Sequence, residues 1–222
     1  MAESAIPNGK DLAARIAEQA VARRTAGYAD EVRRLLDAAL AVIRKLGTTS
    51  RPRVADIVAA AGLSNDAFYR YFPSKGALIA AVLEDGTERL AGYVEHQMSK
   101  EPTPEGKVRR WVEGILSQTR GEVASTTLAV LWNGGDVGTG SRHDASATIA
   151  RLLHEPFAAL GSTMPEMDAS LVAHAMFGKV NDYLWAGSTP HRSEIDRVVV
   201  FCVAAATATP GGPPPGAGGA AS

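Results

Sequence analysis

From residue 30 onward, apolar side chains recur every three or four positions. Val32, Leu35, Leu36, Ala39, Leu40, Ile43 and Leu46 draw one stripe, the pattern of a helix with one face against a core. Asp30 suits its N-cap and Gly47 its stop. Ahead of it, Leu12, Ile16 and Ala20 at four-residue spacing predict a shorter, weakly apolar helix over 10–25, which Gly27 breaks. Residues 1–9 read as disordered. After a polar loop at 48–51, Pro52 suits the first turn of a helix running to about Ala61, with Val54, Ile57 and Val58 inward. Gly62 permits a left-handed turn, Leu63 plugs the core, and Ser64 caps a short helix over 65–72. Pro73 ends that helix by restricting the residue before it. Ser74 then caps a long helix to about Met98, with Leu78, Val82 and Leu83 on one face and Leu90, Val94 and Met98 beyond.

Two prolines mark 100–104 as a linker. Further helices are predicted over 105–120, 125–132, 142–160, 168–186 and 193–208. They are separated by Gly121, the glycine-rich run 134–140, Gly161 with Pro165, and 187–190. No segment alternates as a strand would, and no internal repeat is present. The tail, PGGPPPGAGGAAS, has too little apolar surface to order itself. The expectation is an all-α chain in four parts: a partly helical extension over 1–29, a three-helix DNA-binding domain with a helix-turn-helix over 30–76, a helical ligand-binding and dimerisation domain over 77–207, and a disordered tail over 208–222.

Composition narrows the class. At 222 residues, 45% apolar and 21% charged, the chain is an ordinary globular protein with ample length for a core. The single cysteine, Cys202, excludes an intrachain disulfide framework or a cysteine-rich metal site, and a reducing, cytoplasmic setting follows most simply. Asp11, Arg15 and Glu18 fall where the apolar stretch of a signal peptide would have to lie. No segment approaches the roughly 20 apolar residues of a membrane span. The net charge of −1 is unevenly spread: +1 over 1–29, +3 over 30–80 and −5 beyond. A basic module on an acidic body suits a phosphate backbone at one end only.

The segment 53–75, RVADIVAAAGLSNDAFYRYFPSK, reads as helix, glycine turn and short helix, the shape that fits a major groove. Asn65, Asp66 and Arg70 are its candidate base readers: Asn suits adenine, Asp the cytosine amino group, Arg guanine. A solvated helix face is the plain alternative for each. Lys75 at a helix N-terminus joins a cation to free backbone N–H groups, a phosphate clamp. The hydroxyls of Tyr69 and Tyr71 can reach phosphate, or their rings can simply pack; Phe68 and Phe72 are core. Thr49 and Arg51 flank the second helix and reach phosphate or remain loop residues. Arg23 and Arg24 form either a basic arm toward DNA or a solvated helix end.

Across 53–78 the chain resembles the TetR family of bacterial transcriptional repressors. The resemblance rests on Asp56-Ile57-Val58, Ala61-Gly62-Leu63-Ser64, Tyr69-Arg70-Tyr71-Phe72 and Lys75 followed by Leu78. It covers about a quarter of the chain and is dense in order and spacing. It implies DNA contacts from Ser64, Asn65, Asp66, Tyr69, Arg70, Tyr71 and Lys75. Two positions depart from the family pattern. Ala67 stands where Thr or Ser is usual, removing a phosphate-directed hydroxyl. Pro52-Arg53 replaces a Thr-Ser type helix start, and Arg53 can supply a phosphate contact instead.

The body carries no motif. A lone helix-turn-helix reads too few bases, so a homodimer on two half-sites is expected. Val172, Met176, Val180 and Leu184, with Ile195, Val198, Val199, Phe201, Cys202 and Ala205, exceed one inward stripe. The resemblance implies that the last two helices pair with their symmetry mates; filling the chain's own core is the alternative. Trp111, Ile115, Leu116, Leu128, Trp132, Phe157 and Phe177 line a ligand cavity or fill a core, and His154 and His174 orient a polar ligand group or lie satisfied on the surface. The run GGDVGTG resembles a lid but lacks the Lys-Ser/Thr ending of a phosphate loop. No nucleophile motif, metal-ligand spacing or dinucleotide fingerprint points to an enzyme or a cofactor. The expected function is a repressor that binds a palindromic operator as a dimer and is released by a small, largely apolar effector, with no membrane partner. The alternatives are an activator or architectural DNA-binding protein without a ligand, and a helical enzyme or interaction protein with a vestigial motif.

Overall fold

The computed structural model describes the backbone of residues 9–134 and 139–207, and the side chains of these apart from 9–11 and 139–144. The readings of 1–8 and 208–222 as disordered, and of 135–138 as part of a lid, lie outside the described residues; Gly9, also read as disordered, is the first residue of a helix. Within them the chain is all helical, with no strand. The helices are α1 (Gly9–Leu46), α2 (Val54–Ala61), α3 (Asn65–Tyr71), α4 (Lys75–Met98), α5 (Pro104–Leu116), α6 (Gly121–Asn133), α7 (Thr139–Arg151), α8 (His154–Ala159), α9 (Pro165–Ala186) and α10 (Arg192–Thr207).

α1 corrects the sequence reading. Gly27 does not break it and Asp30 does not cap it: one helix of 38 residues runs through both. A glycine inside a helix costs only about 1 kcal/mol relative to alanine. Seven alanines between Leu12 and Ala29 favour continuation, so nothing local forces a stop. Gly47, with φ of 56°, does end the helix. Pro52 lies outside the next helix, which begins at Val54 behind Arg53.

The turns of the next segment follow from cap chemistry. Gly62 adopts φ 63° and ψ 36°, a left-handed geometry that costs an L side chain about 1 kcal/mol or more. This turn lets Leu63 N–H reach back to the Val58 carbonyl at 2.9 Å, closing α2. Ser64 Oγ accepts from Ala67 N–H at 3.2 Å and starts α3. Ser74 Oγ accepts from Ala77 N–H at 3.1 Å and starts α4. Each cap satisfies an orphan donor, worth about 1 kcal/mol.

The single helix expected over 142–160 is two. Pro156 has no N–H to donate, and its ring crowds the carbonyl four residues earlier. The chain therefore ends α7 at Arg151 and restarts as α8 at His154. α6 begins at Gly121, four residues before the expected start, while α9 begins at Pro165, a position where proline is tolerated.

Two apolar cores result. The first gathers Leu35, Ala39 and Ile43 of α1, Ile57 of α2, Phe68 and Phe72 of the α3 segment, and Leu78, Ile79 and Val82 of α4. The second gathers Ala91, Val94 and Met98 of α4 with α5, α7, α8, α9 and α10 around Trp111 and Phe157. α4 thus runs through both. α6 also bridges them: Ala129 and Val130 belong to the first core, while Leu128 and Leu131 pack on the second. Outside the cores, Asp85 of α4 holds Arg33 of α1 at 2.7 Å and Arg89 at 2.8 Å, and Arg89 reaches Asp37 at 3.6 Å. Exposed pairs of this kind contribute about 0–1 kcal/mol each; they fix direction more than stability.

Candidate nucleic-acid interface

α3 is seated by its buried side. Phe68 is fully buried and Phe72 nearly so, with Phe68 against Phe72 at 5.9 Å and against Tyr69 at 5.0 Å between ring centres. Ala67 is buried too, so the position without a hydroxyl faces inward rather than toward a partner. Opposite lie Asn65, Asp66, Tyr69 and Arg70, all exposed. Tyr69 leaves 59% of its surface in solvent, far more than a core aromatic would. Arg53 is exposed at the start of α2, and its side chain makes no cap hydrogen bond. Lys75 occupies the first position of α4, half-buried, beside the Ser74 cap.

Ser64, a candidate contact, spends its hydroxyl oxygen on the Ala67 amide. Its O–H can still donate outward. Thr49 donates to the Leu46 carbonyl at 2.7 Å. The Arg51 guanidinium lies 5.7 Å from the ring centre of Trp132, a cation–π contact that ties the loop before α2 to α6.

Tyr71 and Arg70 have a partner that the sequence did not suggest. Tyr71 donates its hydroxyl to Glu31 Oε2 at 2.8 Å, and Arg70 Nη1 reaches the same oxygen at 3.3 Å. Arg70 also lies 5.7 Å from the Tyr71 ring centre, and Tyr28 packs edge-on against Tyr71 at 6.1 Å. Burial, and then the Glu31 carboxylate, push the Tyr71 hydroxyl above its ordinary value, so it remains a donor at neutral pH. α1 and α3 are joined here across 39 or 40 residues of chain. Only the folded module brings these groups together, and no local sequence signal marks Glu31.

The candidate ligand residues divide. Trp111, Ile115 and Phe157 are buried members of the second core, and Trp111 Nε1 donates to the Ile149 carbonyl at 3.0 Å. Leu116 is buried with them, while Leu128 and Phe177 pack on the edge of the same core. Trp132 lies instead at the joint under Arg51. His174 is exposed, its Nδ1 2.7 Å from the Ser170 carbonyl oxygen and 3.4 Å from Ser146 Oγ. His154 opens α8. Buried Asn133 uses its amide N–H on the Ala129 carbonyl, and its Oδ1 has no partner. Cys202 is almost fully buried, which pushes its thiol up to about 12. It stays protonated and unreactive near neutral pH.

Residues 35–82 match the family described as bacterial regulatory proteins, tetR family. That range contains α2, the Gly62 turn, α3 and the start of α4, the parts whose caps and exposed face are described above. The chain carries a TetR-family DNA-binding domain. The matched segment is of the helix-turn-helix type found in DNA-binding transcriptional regulators. No curated protein sequence matches it. Solved structures of similar fold include a TetR-family transcriptional regulator from Mesorhizobium loti, 18% identical, covering 81% of this chain and 96% of that one at a TM-score of 0.60. Salmonella enterica GusR is 22% identical over 80% of this chain and 96% of its own, at 0.57. A TetR-family regulator from Pectobacterium atrosepticum is 21% identical over 81% and 92%, at 0.54. The TetR-type arrangement thus extends in fold beyond the matched segment, across the helical body. Among the described residues no helix is long and apolar enough to cross a membrane, and no cluster of His, Cys, Asp or Glu is placed to hold a metal ion.

Proposed function

We propose that the protein is a repressor that occupies a palindromic operator as a homodimer and is released by a small, largely apolar effector bound in the second core. The observation that carries this reading is the path of α4. Lys75 opens it four residues after α3 ends at Tyr71, while Ala91, Val94 and Met98 lie among the residues of the body. A shift of the body's packing therefore moves a helix that shares the first core with Phe68 and Phe72 of the α3 segment. An effector acts only through a difference in affinity between the two arrangements, so operator and effector must weaken each other equally. A saturating effector that left operator affinity unchanged would contradict the mechanism.

Dimerisation is assigned to the outer faces of α9 and α10. Val172, Met176, Val180, Leu184, Ile195, Val199 and Cys202, expected at the dimer surface, are buried in the chain's own core. Of the expected residues Phe201 on α10 is left outside, together with Val200 beside it and Met167, Leu171 and Trp185 on α9. Leu171, Ala175, Gly178 and Trp185 share one face of α9 by their spacing, and the two small residues between the large ones allow a second helix to approach. Such a patch on a soluble chain suits a twofold contact.

Within the DNA module, Lys75 and Tyr69 are assigned to phosphate, Arg53 to phosphate before α2, and Asn65, Asp66 and Arg70 to base edges. The test is a gel shift with the DNA upstream of the gene, followed by salt titration. Lys75→Ala is expected to weaken binding to all sequences alike and to flatten the dependence of log K on log salt by about 0.9, one phosphate contact. A sequence-selective loss would remove Lys75 from the backbone.

Glu31 adds a second expectation. To read a base, Arg70 must exchange Glu31 for DNA. Glu31→Gln keeps an acceptor for Tyr71 but removes the charge that holds Arg70. Affinity for random-sequence duplex is expected to rise about 3- to 10-fold at low salt, in the range of one released charge contact. Fluorescence anisotropy over a salt series measures it. Unchanged affinity, together with unchanged sequence preference in Arg70→Ala, would place Arg70 with the module's internal contacts only.

A further inference from the structure

The N-terminal half of α1 has no role in either core. Every residue from Leu12 to Asp30 is exposed, including Leu12, Ile16, Val21 and Tyr28. Residues 12–29 form about 27 Å of helix, the length of about eight base pairs. It continues a helix that the first core has already nucleated, so it can stand out from the module without packing of its own. Two observations say what partner it fits. The first is position: Tyr28 packs on Tyr71, and Glu31 holds Tyr71 and Arg70, so the exposed half begins at the C-terminal end of α3 and continues the DNA-facing module outward. The second is charge: between Leu12 and Ala29 there are three arginines and one acid, Glu18. Arg24 stands one turn before Tyr28 on the same face, and Arg23 adjoins it. Among the described residues Arg15 and Arg24 make no ion pair, and Arg23 bonds only the Gln19 carbonyl of its own helix.

We infer that residues 12–30 of α1 form a second DNA contact, lying along the phosphates of the duplex that flanks the half-site under α3. The inference rests on the DNA-binding reading of α3 and extends it beyond the helix-turn-helix. It makes the operator footprint longer than two recognition helices need, with the outer base pairs held by charge and not read.

The test uses the full chain and a duplex selected from random DNA for binding. The site is prepared with almost no flank and with about ten base pairs of random flank on each side. The intact chain is expected to bind the flanked duplex about 10-fold more tightly near 0.1 M salt. Arg23→Ala with Arg24→Ala should remove that advantage and flatten the salt dependence by up to about 1.8, two phosphate contacts. Both positions are exposed and alanine is the best helix former, so circular dichroism should show the helix retained. Equal affinity for short and flanked duplexes, or an advantage that survives in the double variant, overturns the inference. So does a fall in oligomeric mass of the double variant by sedimentation, which would make the segment a contact between copies. If the chain binds the short site but ignores the flank, only this inference fails; if it binds no duplex, the reading of α3 fails with it.

Discussion

The double variant Leu171→Glu, Phe201→Glu is expected to be a folded monomer with operator affinity at least about 100-fold below that of the intact chain. Both side chains are more than half exposed in the single chain, at 63% and 52%. Replacing them therefore removes little packing from the second core, which is built mainly from the opposite faces through Val172, Met176, Val199 and Cys202. In a twofold dimer each substitution occurs twice near the axis. Four carboxylates then enter a patch whose other members are Ala175, Gly178, Val200 and Trp185, with no matching cations beyond Lys179 and Arg197 at its rim. Burying uncompensated charge costs several kcal/mol, more than an ordinary interface can absorb. The loss of DNA affinity follows from the loss of linkage. Two tethered reading heads gain about 10²- to 10⁴-fold over one, and a monomer forfeits that gain while keeping α3 intact. Sedimentation gives the mass, circular dichroism the fold, and a gel shift the affinity. A variant that remains dimeric with full operator affinity would move the dimer contact off α9 and α10.

Of these two residues the sequence alone pointed to Phe201 and not to Leu171. Periodicity identifies that α9 and α10 are apolar around more than one stripe; it does not say which stripe faces the chain's own core. Val172 and Leu171 are neighbours in sequence, one buried and one exposed, and only the positions of α5, α7 and α8 decide between them. The helix-turn-helix was legible because its signals are local. Gly62 needs its left-handed turn, and Ser64 and Ser74 need only an amide three residues on. The break before Pro156 is equally local, marked by proline's missing donor, although the apolar pattern runs on across it. Gly27 and Asp30 failed as boundary marks because each is merely unfavourable inside a helix, and the many Ala, Leu, Arg and Glu residues of this 38-residue helix outweighed them. Glu31 belongs to the other extreme, for its role exists only once α1 and α3 meet.

Phe68→Ala is expected to destabilise the DNA-binding module by about 3–5 kcal/mol and to abolish operator binding while leaving the dimer assembled. Phe68 is among the largest fully buried side chains of the chain. α3 is only seven residues long, too short to hold its shape or place by its own hydrogen bonds. Its seat is the contact of Phe68 with Phe72 and the first core. Removing the ring opens a cavity directly beneath Asn65, Asp66 and Tyr69, whose placement must hold to about half an ångström for base and phosphate contacts to form together. The second core shares no residue with the first, so Trp111, Phe157 and the α9–α10 face keep their packing. Calorimetry should therefore separate into two transitions, the lower one new, where the intact chain's cores are held together through α4 and α6. Sedimentation should report an unchanged dimer. A single transition lowered as a whole would mean that α4 transmits the loss into the body, so that the two cores fold as one cooperative unit. Retained operator affinity would mean that α3 is held by its exposed contacts to Glu31 more than by its buried ring.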